Sequence, residues 1–275
     1  MPNLLLYYNT LMYLVPATFM ATILEFLYSS HKKDDVYSFK EFLCNITNGA
    51  LYEVFLNRII FIFYINTFIT LGRIIIGQPK LEFSYFNLFL CLLISDLTFY
   101  IYHRLHHKFE ILWLLHFVHH SDKKLNLSTT YRFSVLEKFY SPIMFIPALL
   151  LGFDITTTLL SFYTMNIYQF FNHSQYLRYP SFIEYIFVTP QMHNMHHDQE
   201  IKNQNSNFGS LFSVWDRIFG TYVPYSGNCT PGIKNYESNN LLLNQLDPII
   251  NYYKYKRYSL FASPSKRSIL ARDHE

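Results

Sequence analysis

The chain has 275 residues, of which 51% are hydrophobic, 19% aromatic and 15% charged, against about 25% charged in an ordinary soluble protein. This surplus of apolar side chains comes in runs, which points to a membrane protein. A net charge of +3 is too small to suggest a nucleic-acid partner, and three scattered cysteines imply neither a disulfide framework nor a thiolate metal site.

Leu4 to Leu24 carries no charge and is long enough to cross a hydrocarbon core as a helix. It lacks the basic start of a secretory signal, so it is read as a retained membrane helix. His31 to Glu53 is polar and reads as a solvent-side loop. A second apolar segment runs from Ile59 to Ile76, interrupted by Arg73, and Gly77 to Lys80 forms a turn. A third spans Phe83 to Tyr102 and contains Asp96. An ionisable group at membrane depth is costly and marks a functional candidate. Asp96 also lies two helical turns before His103 on the same face, where it could orient an imidazole.

Tyr102 to Lys138 is more polar and carries six of the twelve histidines. Phe139 to Phe153 and Ile155 to Asn172 are uncharged, separated by a turn at Gly152-Phe-Asp154. The first of these runs contains Pro142 and Pro147 and reads as a re-entrant or interfacial segment, or one arm of a helical hairpin. His173 follows. A helix is predicted over Ser181 to Val188, and Thr189-Pro190 punctuates before His193, His196 and His197. Beyond Tyr225 the chain is polar, without a motif, and reads as a tail.

Histidine spacing is the strongest signal. His103 and His107 are four apart, and His116, His119 and His120 repeat the spacing of His193, His196 and His197. Residues three and four apart share a helix face, so each set forms a stripe of imidazoles able to converge on metal. Imidazole suits iron, zinc, copper and nickel, so spacing alone does not name the metal. With the N-terminus outside, every cluster and nearly all basic loop residues fall on one side, which the positive-inside rule makes cytoplasmic. The glycosylation sequons at Asn45, Asn126, Asn172 and Asn228 would then be silent. A membrane metal transporter is the competing class, disfavoured because the ionisable residues gather at one face.

Several blocks together resemble the fatty acid hydroxylase/sterol desaturase superfamily. They are Asp96-x6-His103-Arg-x-x-His107, His116-x-x-His119-His120-Ser-Asp, Thr129-Thr-Tyr-Arg132, Phe171-Asn-His173-Ser, Val188-Thr-Pro-Gln-Met-His193-x-x-His196-His197, Asn207-Phe-Gly209 and Trp215-Asp-Arg-Ile-Phe-Gly-Thr221. The resemblance covers about half the chain. It implies an all-α, polytopic membrane helical bundle with a cytosolic helical cap holding a histidine-rich dimetal site. The implied divisions are membrane helices and a loop over 1–80, the histidine-box domain over 81–223 and a polar tail over 224–275.

The same resemblance implies two iron ions (Fe2+) held by His103, His107, His116, His119, His120, His173, His193, His196 and His197. These would use O2 to hydroxylate or desaturate a lipid. His106 stands where relatives carry an apolar residue and reads as outside the ligand set. Asp96, Asp122, Glu137, Asp198 and Asp216 are candidates for orienting ligands. Tyr102, Trp113 and Tyr131 are candidates for lining the approach. Electrons must come from a separate partner of cytochrome b5, ferredoxin or reductase type, because no redox motif is present. Ser134-Val135 replaces a His-Pro pair common in relatives, so a member of the family without turnover is a further alternative.

Overall fold

The computed structural model describes residues 2–57, 59, 63, 81–227, 229–237 and 239–250. Most of the second apolar segment with Arg73, the turn before Lys80, and Asn228 lie outside them. Among the described residues every named element is helical, and the only sheet-type pairings are three isolated bridges.

Helix α1 (Pro2–Lys32) contains the first apolar run and stops at Lys33, whose φ of 55° leaves helical space. Helix α2 (Phe39–Leu51), continued by a π-helical turn over Tyr52–Leu56, falls in the stretch expected to be loop. Its inward face is Cys44, Asn45, Asn48 and Gly49, so apolar periodicity gave no sign of it. Gly49 has a steric reason: a Cβ there would lie 2.7 Å from the Tyr131 ring.

Helix α3 (Tyr85–Lys108) starts at Ser84, whose hydroxyl accepts from the Asn87 N–H at 3.0 Å. Among the described residues it is the one helix long and apolar enough to cross a membrane. Only 22% of its most apolar window is buried within the protein. Phe109, with extended backbone, ends α3, and α4 (Glu110–His120) folds back so that its histidines meet those of α3.

Phe139 to Phe153 is broken into the end of α5 (Val135–Tyr140), a 3-10 turn at Ser141–Phe145 and α6 (Ile146–Leu150). Pro142 and Pro147 lack the N–H that a continuous helix needs, so this run is no single span. Gly152, at φ 91°, makes the predicted turn. Asp154 then caps α7 (Ile155–Asn172), accepting from Thr156 N at 2.8 Å and Thr157 N at 3.1 Å. α7 packs against α3 and delivers His173 at its end.

The helix expected at Ser181 to Val188 is only a 3-10 turn, Ser181–Tyr185. Beyond it Val188 N donates to Leu211 O and Phe187 bridges to Phe212, pairings that need extended chain. Helix α8 (Pro190–His196) begins with proline at its first position, behind a Thr189 cap. Short helices α9 (Ile201–Gln204) and α10 (Val214–Ile218) follow.

The expected polar tail is partly a packed element. Helix α11 (Leu241–Ile250) rests on α4 and α2. Ile233 and Tyr236 join Trp113, Leu114 and Phe117 in a buried cluster beneath α4.

Candidate metal centre

The nine histidines of the repeated motifs converge in two groups. His103, His107, His116, His120 and His196 form the first, and His119, His173, His193 and His197 the second. Within each group the candidate ligand atoms lie within 4.8 Å of one another.

The tautomers follow from what faces each ring. A carbonyl can only accept, so the imidazole nitrogen beside it carries the proton. His103 Nδ1 donates to Phe208 O at 3.0 Å, and His119 Nδ1 to Arg132 O at 3.0 Å. His173 Nδ1 donates to Gln169 O at 2.9 Å, and His196 Nδ1 to Ser206 O at 2.7 Å. Each of these rings therefore turns a bare Nε2 lone pair inward. His119 Nε2 stands 3.3 Å from His173 Nε2, an approach of two lone pairs with no proton between them. His103 and His116 Nε2 approach to 3.0 Å, as do His193 and His173. His107 Nε2, His196 Nε2 and both nitrogens of His120 are buried without a hydrogen-bond partner. Buried acceptors facing one another are unfavourable unless a cation lies between them. The donor set therefore fits two borderline metal ions.

Electrostatics agree. Burial pushes His173 down to about 4 and, with His116 adding to it, His196 down to about 3. Burial, reinforced by neighbouring imidazoles, also holds His119, His120, His193 and His197 well below the usual histidine range. These rings are thus neutral and available to ligate at physiological pH.

Of the five carboxylates considered from sequence, only Glu137 touches an imidazole of the two groups. It accepts from His116 Nδ1 at 3.1 Å. Burial favours its neutral form, but His116, which also donates a hydrogen bond to it, outweighs this with Lys138 adding to it, and its carboxyl is held well below the usual range. Asp96 meets no imidazole, contrary to expectation. Its oxygens accept from Leu211 N, Phe212 N and Trp215 Nε1, because the 206–213 loop and the start of α10 present three donors to this point of α3. Asp216 holds the same loop through Phe208 N and Gly209 N, so it acts on His103 only through the Phe208 carbonyl. Asp122 accepts from Asn45 and Thr129, and Asp198 from Asn203 and Thr230 N. Neither reaches an imidazole.

His106 falls outside both groups. Its Nδ1 donates to Tyr102 O at 2.7 Å and its Nε2 accepts from Tyr140 OH at 2.6 Å, leaving no lone pair to spare. Trp113 wedges between His107 and His120, and Tyr102 packs on His106.

Sequence reasoning missed the carbonyl acceptors of Phe208, Ser206, Gln169 and Arg132, because a backbone carbonyl has no residue signature. It also missed the work of the Arg132 side chain, which is 2% exposed. That side chain donates to Ser121, Asn45 and Asn244, joining α2, α4 and α11 behind His119. At the departure from the His-Pro pattern, Val135 N donates to Gln245 Oε1 at 2.9 Å, a bond proline could not make. Asn45, Asn126 and Asn172 are buried, so those sequons are inaccessible in the fold.

A cavity of about 290 Å³ opens beside the second group. Its wall is mainly apolar and includes Tyr131 and Phe145. Thr130 and Gln169 line it and also meet His173 Nδ1, through Thr130 Oγ1 at 3.1 Å and the Gln169 carbonyl. Phe99, also in the wall, packs 5.4 Å from the His103 ring.

The fatty acid hydroxylase family matches residues 88–221. Alkylglycerol monooxygenase of Danio rerio is 35% identical over 50% of this chain and 31% of its own length. Human cholesterol 25-hydroxylase is 32% identical over 52% of this chain and 53% of its own length. Ornithine lipid hydroxylase of Rhizobium tropici is 29% identical over 50% of this chain and 42% of its own length. The chain thus spans about half or less of the length of these relatives. No solved structure matches. The family match falls on the segment that carries all nine converging histidines, and on that basis residues 88–221 are a fatty acid hydroxylase domain.

Proposed function

We propose that this protein is a membrane-bound, O2-dependent oxygenase that hydroxylates or desaturates a lipid at a pair of iron ions. The observation that carries the reading is the convergence of nine imidazoles, four of them with an Nε2 lone pair fixed inward by a carbonyl behind, beside an apolar cavity. Such a donor set could hold iron, zinc or copper, and iron is the ion that the resemblance to the fatty acid hydroxylase/sterol desaturase superfamily implies.

His103, His107, His116, His120 and His196 would hold one ion, and His119, His173, His193 and His197 the other. A pair of Fe(II) ions supplies reductive activation of O2 for attack on an unactivated C–H bond. The chain's own residues do the rest. The carbonyls of Phe208, Arg132, Gln169 and Ser206 fix the Nδ1 protons, so the inward nitrogens stay ligating. Glu137 keeps the proton of His116 on Nδ1 and makes that ring a stronger donor. The apolar wall seats a lipid chain and excludes water, with the target carbon at the Thr130–Gln169 end.

The names of the relatives cover an alkylglycerol, a sterol and an ornithine lipid, which supports a lipid substrate. We place α3 across the bilayer as part of a multi-pass bundle, with the histidines on the cytoplasmic face and a separate electron donor docking there.

Iron content and Mössbauer spectra of protein purified in mild detergent from iron-57-fed cells test this reading. About two irons per chain are expected, with a spectrum that changes on reduction and exposure to O2. Folded protein without bound metal would overturn it.

A further inference from the structure

The cavity beside His173 is apolar over most of its wall, yet one part of it is charged. Lys138, Glu53 and Asn57 all line it. The ammonium of Lys138 lies 4.9 Å from the centroid of the Phe133 ring, which is also part of the wall. Among the described residues no carboxylate oxygen comes within 4.0 Å of that ammonium. Residues 58–80, which continue from Asn57, contain no Asp or Glu.

The two acids whose charges reach Lys138 make their direct contacts elsewhere. Glu137, next to Lys138 in the chain, turns its carboxylate to His116. Glu53 accepts from Asn57 Nδ2 at 2.6 Å, and burial raises its pKa, which favours its neutral form. The wall therefore holds a lysine with no carboxylate in direct contact; burial disfavours its ammonium, and only the more distant charges of Glu137 and Glu53 act in its favour. A ligand that brings its own negative charge removes that cost. An apolar chain behind the charge fills the rest of the volume.

We infer that Lys138 binds the oxyanion head, carboxylate or phosphate, of an acyl lipid whose chain extends along the cavity toward the histidines. This deepens the function proposed above and rests on its placement of a lipid in the cavity. Lys138 would then select among lipids by head charge and set which carbon reaches the Thr130–Gln169 end. Phe133 and the aliphatic stem of Lys138 would cover the first carbons of the chain.

The test is lipid binding by the full chain in neutral detergent, read by electron paramagnetic resonance. The probes are a chain-end nitroxide-labelled stearic acid and its methyl ester. The acid is expected to bind at least about tenfold more tightly than the ester, the scale of one buried charge-assisted contact. Lys138→Met should erase that preference with ester binding unchanged, and Lys138→Arg should keep it. Competition with oleate, lysophosphatidic acid and monooleoylglycerol identifies the head. Displacement by oleate alone assigns a carboxylate, by lysophosphatidic acid alone a phosphate, and by both a general oxyanion site. Equal binding of acid and ester by the wild type, an acid preference surviving in Lys138→Met, or displacement no better by the anionic lipids than by monooleoylglycerol would each overturn the inference. Metal content is measured on the same samples. Bound metal without acid preference defeats this inference alone. A Lys138-dependent acid preference in metal-free protein defeats the oxygenase reading and leaves the head site standing.

Discussion

Both histidine groups turn Nε2 lone pairs inward and are supported differently from behind. In the first group, His116 leans on the carboxylate of Glu137, and the rings of Trp113 and Phe208 close around His107. In the second, the supports found for His119 and His173 are backbone carbonyls and the Thr130 hydroxyl. Two of these supports come from residues that line the cavity. A charged support strengthens a ligand's donor power, whereas a carbonyl support fixes geometry without adding charge. The first group is thus the electrostatically reinforced one, and the second the one whose supports line the apolar cavity.

Several variants would sharpen or break that contrast. The largest effect is expected from His120→Ala and His197→Ala, one from each group. Each should abolish turnover and lower bound metal, and full activity with full metal in either would remove that residue from the proposed ligands. Next is Arg132→Met, which breaks the junction behind His119 and leaves buried Asp122 without the guanidinium 4.0 Å away. A loss of about 3–5 kcal/mol is expected, seen as a lower unfolding temperature in detergent. Unchanged stability would mean that Arg132 is dispensable to the second group.

Glu137→Gln should weaken metal retention or turnover by about 10–100-fold, with chelator-induced loss beginning at the first group. Loss of spectroscopic signal from both irons at equal rates would erase the distinction between the groups. Glu41 offers a smaller, pH-dependent test. Burial, with Asp122 adding to it, raises its pKa, and its Oε2 has no hydrogen-bond partner. A raised carboxyl gives stability that is complete below the ordinary carboxylate range and is lost as pH rises through its folded value, near neutrality. Glu41→Gln should flatten that decline. A thermal-stability profile as steep as that of the wild type would show that Glu41 does not titrate there. The smallest effect is expected from His106→Leu. It forfeits the Tyr140 hydrogen bond and should keep the metal, and metal loss would show that His106 belongs to the ligand set.

The nine histidines were legible in the sequence because metal-ligand spacing on helices is local, and the turn at Gly152 was legible because its positive φ suits glycine. The short broken helices after Phe139 follow from Pro142 and Pro147. Helix α2 was illegible for the opposite reason. Asn45 and Asn48 look like surface residues until Arg132 and the Tyr131 carbonyl are found opposite them. Asp96 shows the limit of face arithmetic. It shares a helical face with His103, yet the donors it meets come from residues 211–215, a segment more than a hundred positions away.

By itself the sequence determined which histidines form the candidate metal site, the apolar helix that leads into it and the family resemblance, since each is written in residue types at short range. Tertiary structure alone decided how nine imidazoles divide into five and four, which carboxylate supports one of them, and where a charged side chain enters an apolar cavity. Those outcomes depend on side chains and carbonyls brought together from distant parts of the chain, and a one-dimensional pattern does not encode which of them will meet.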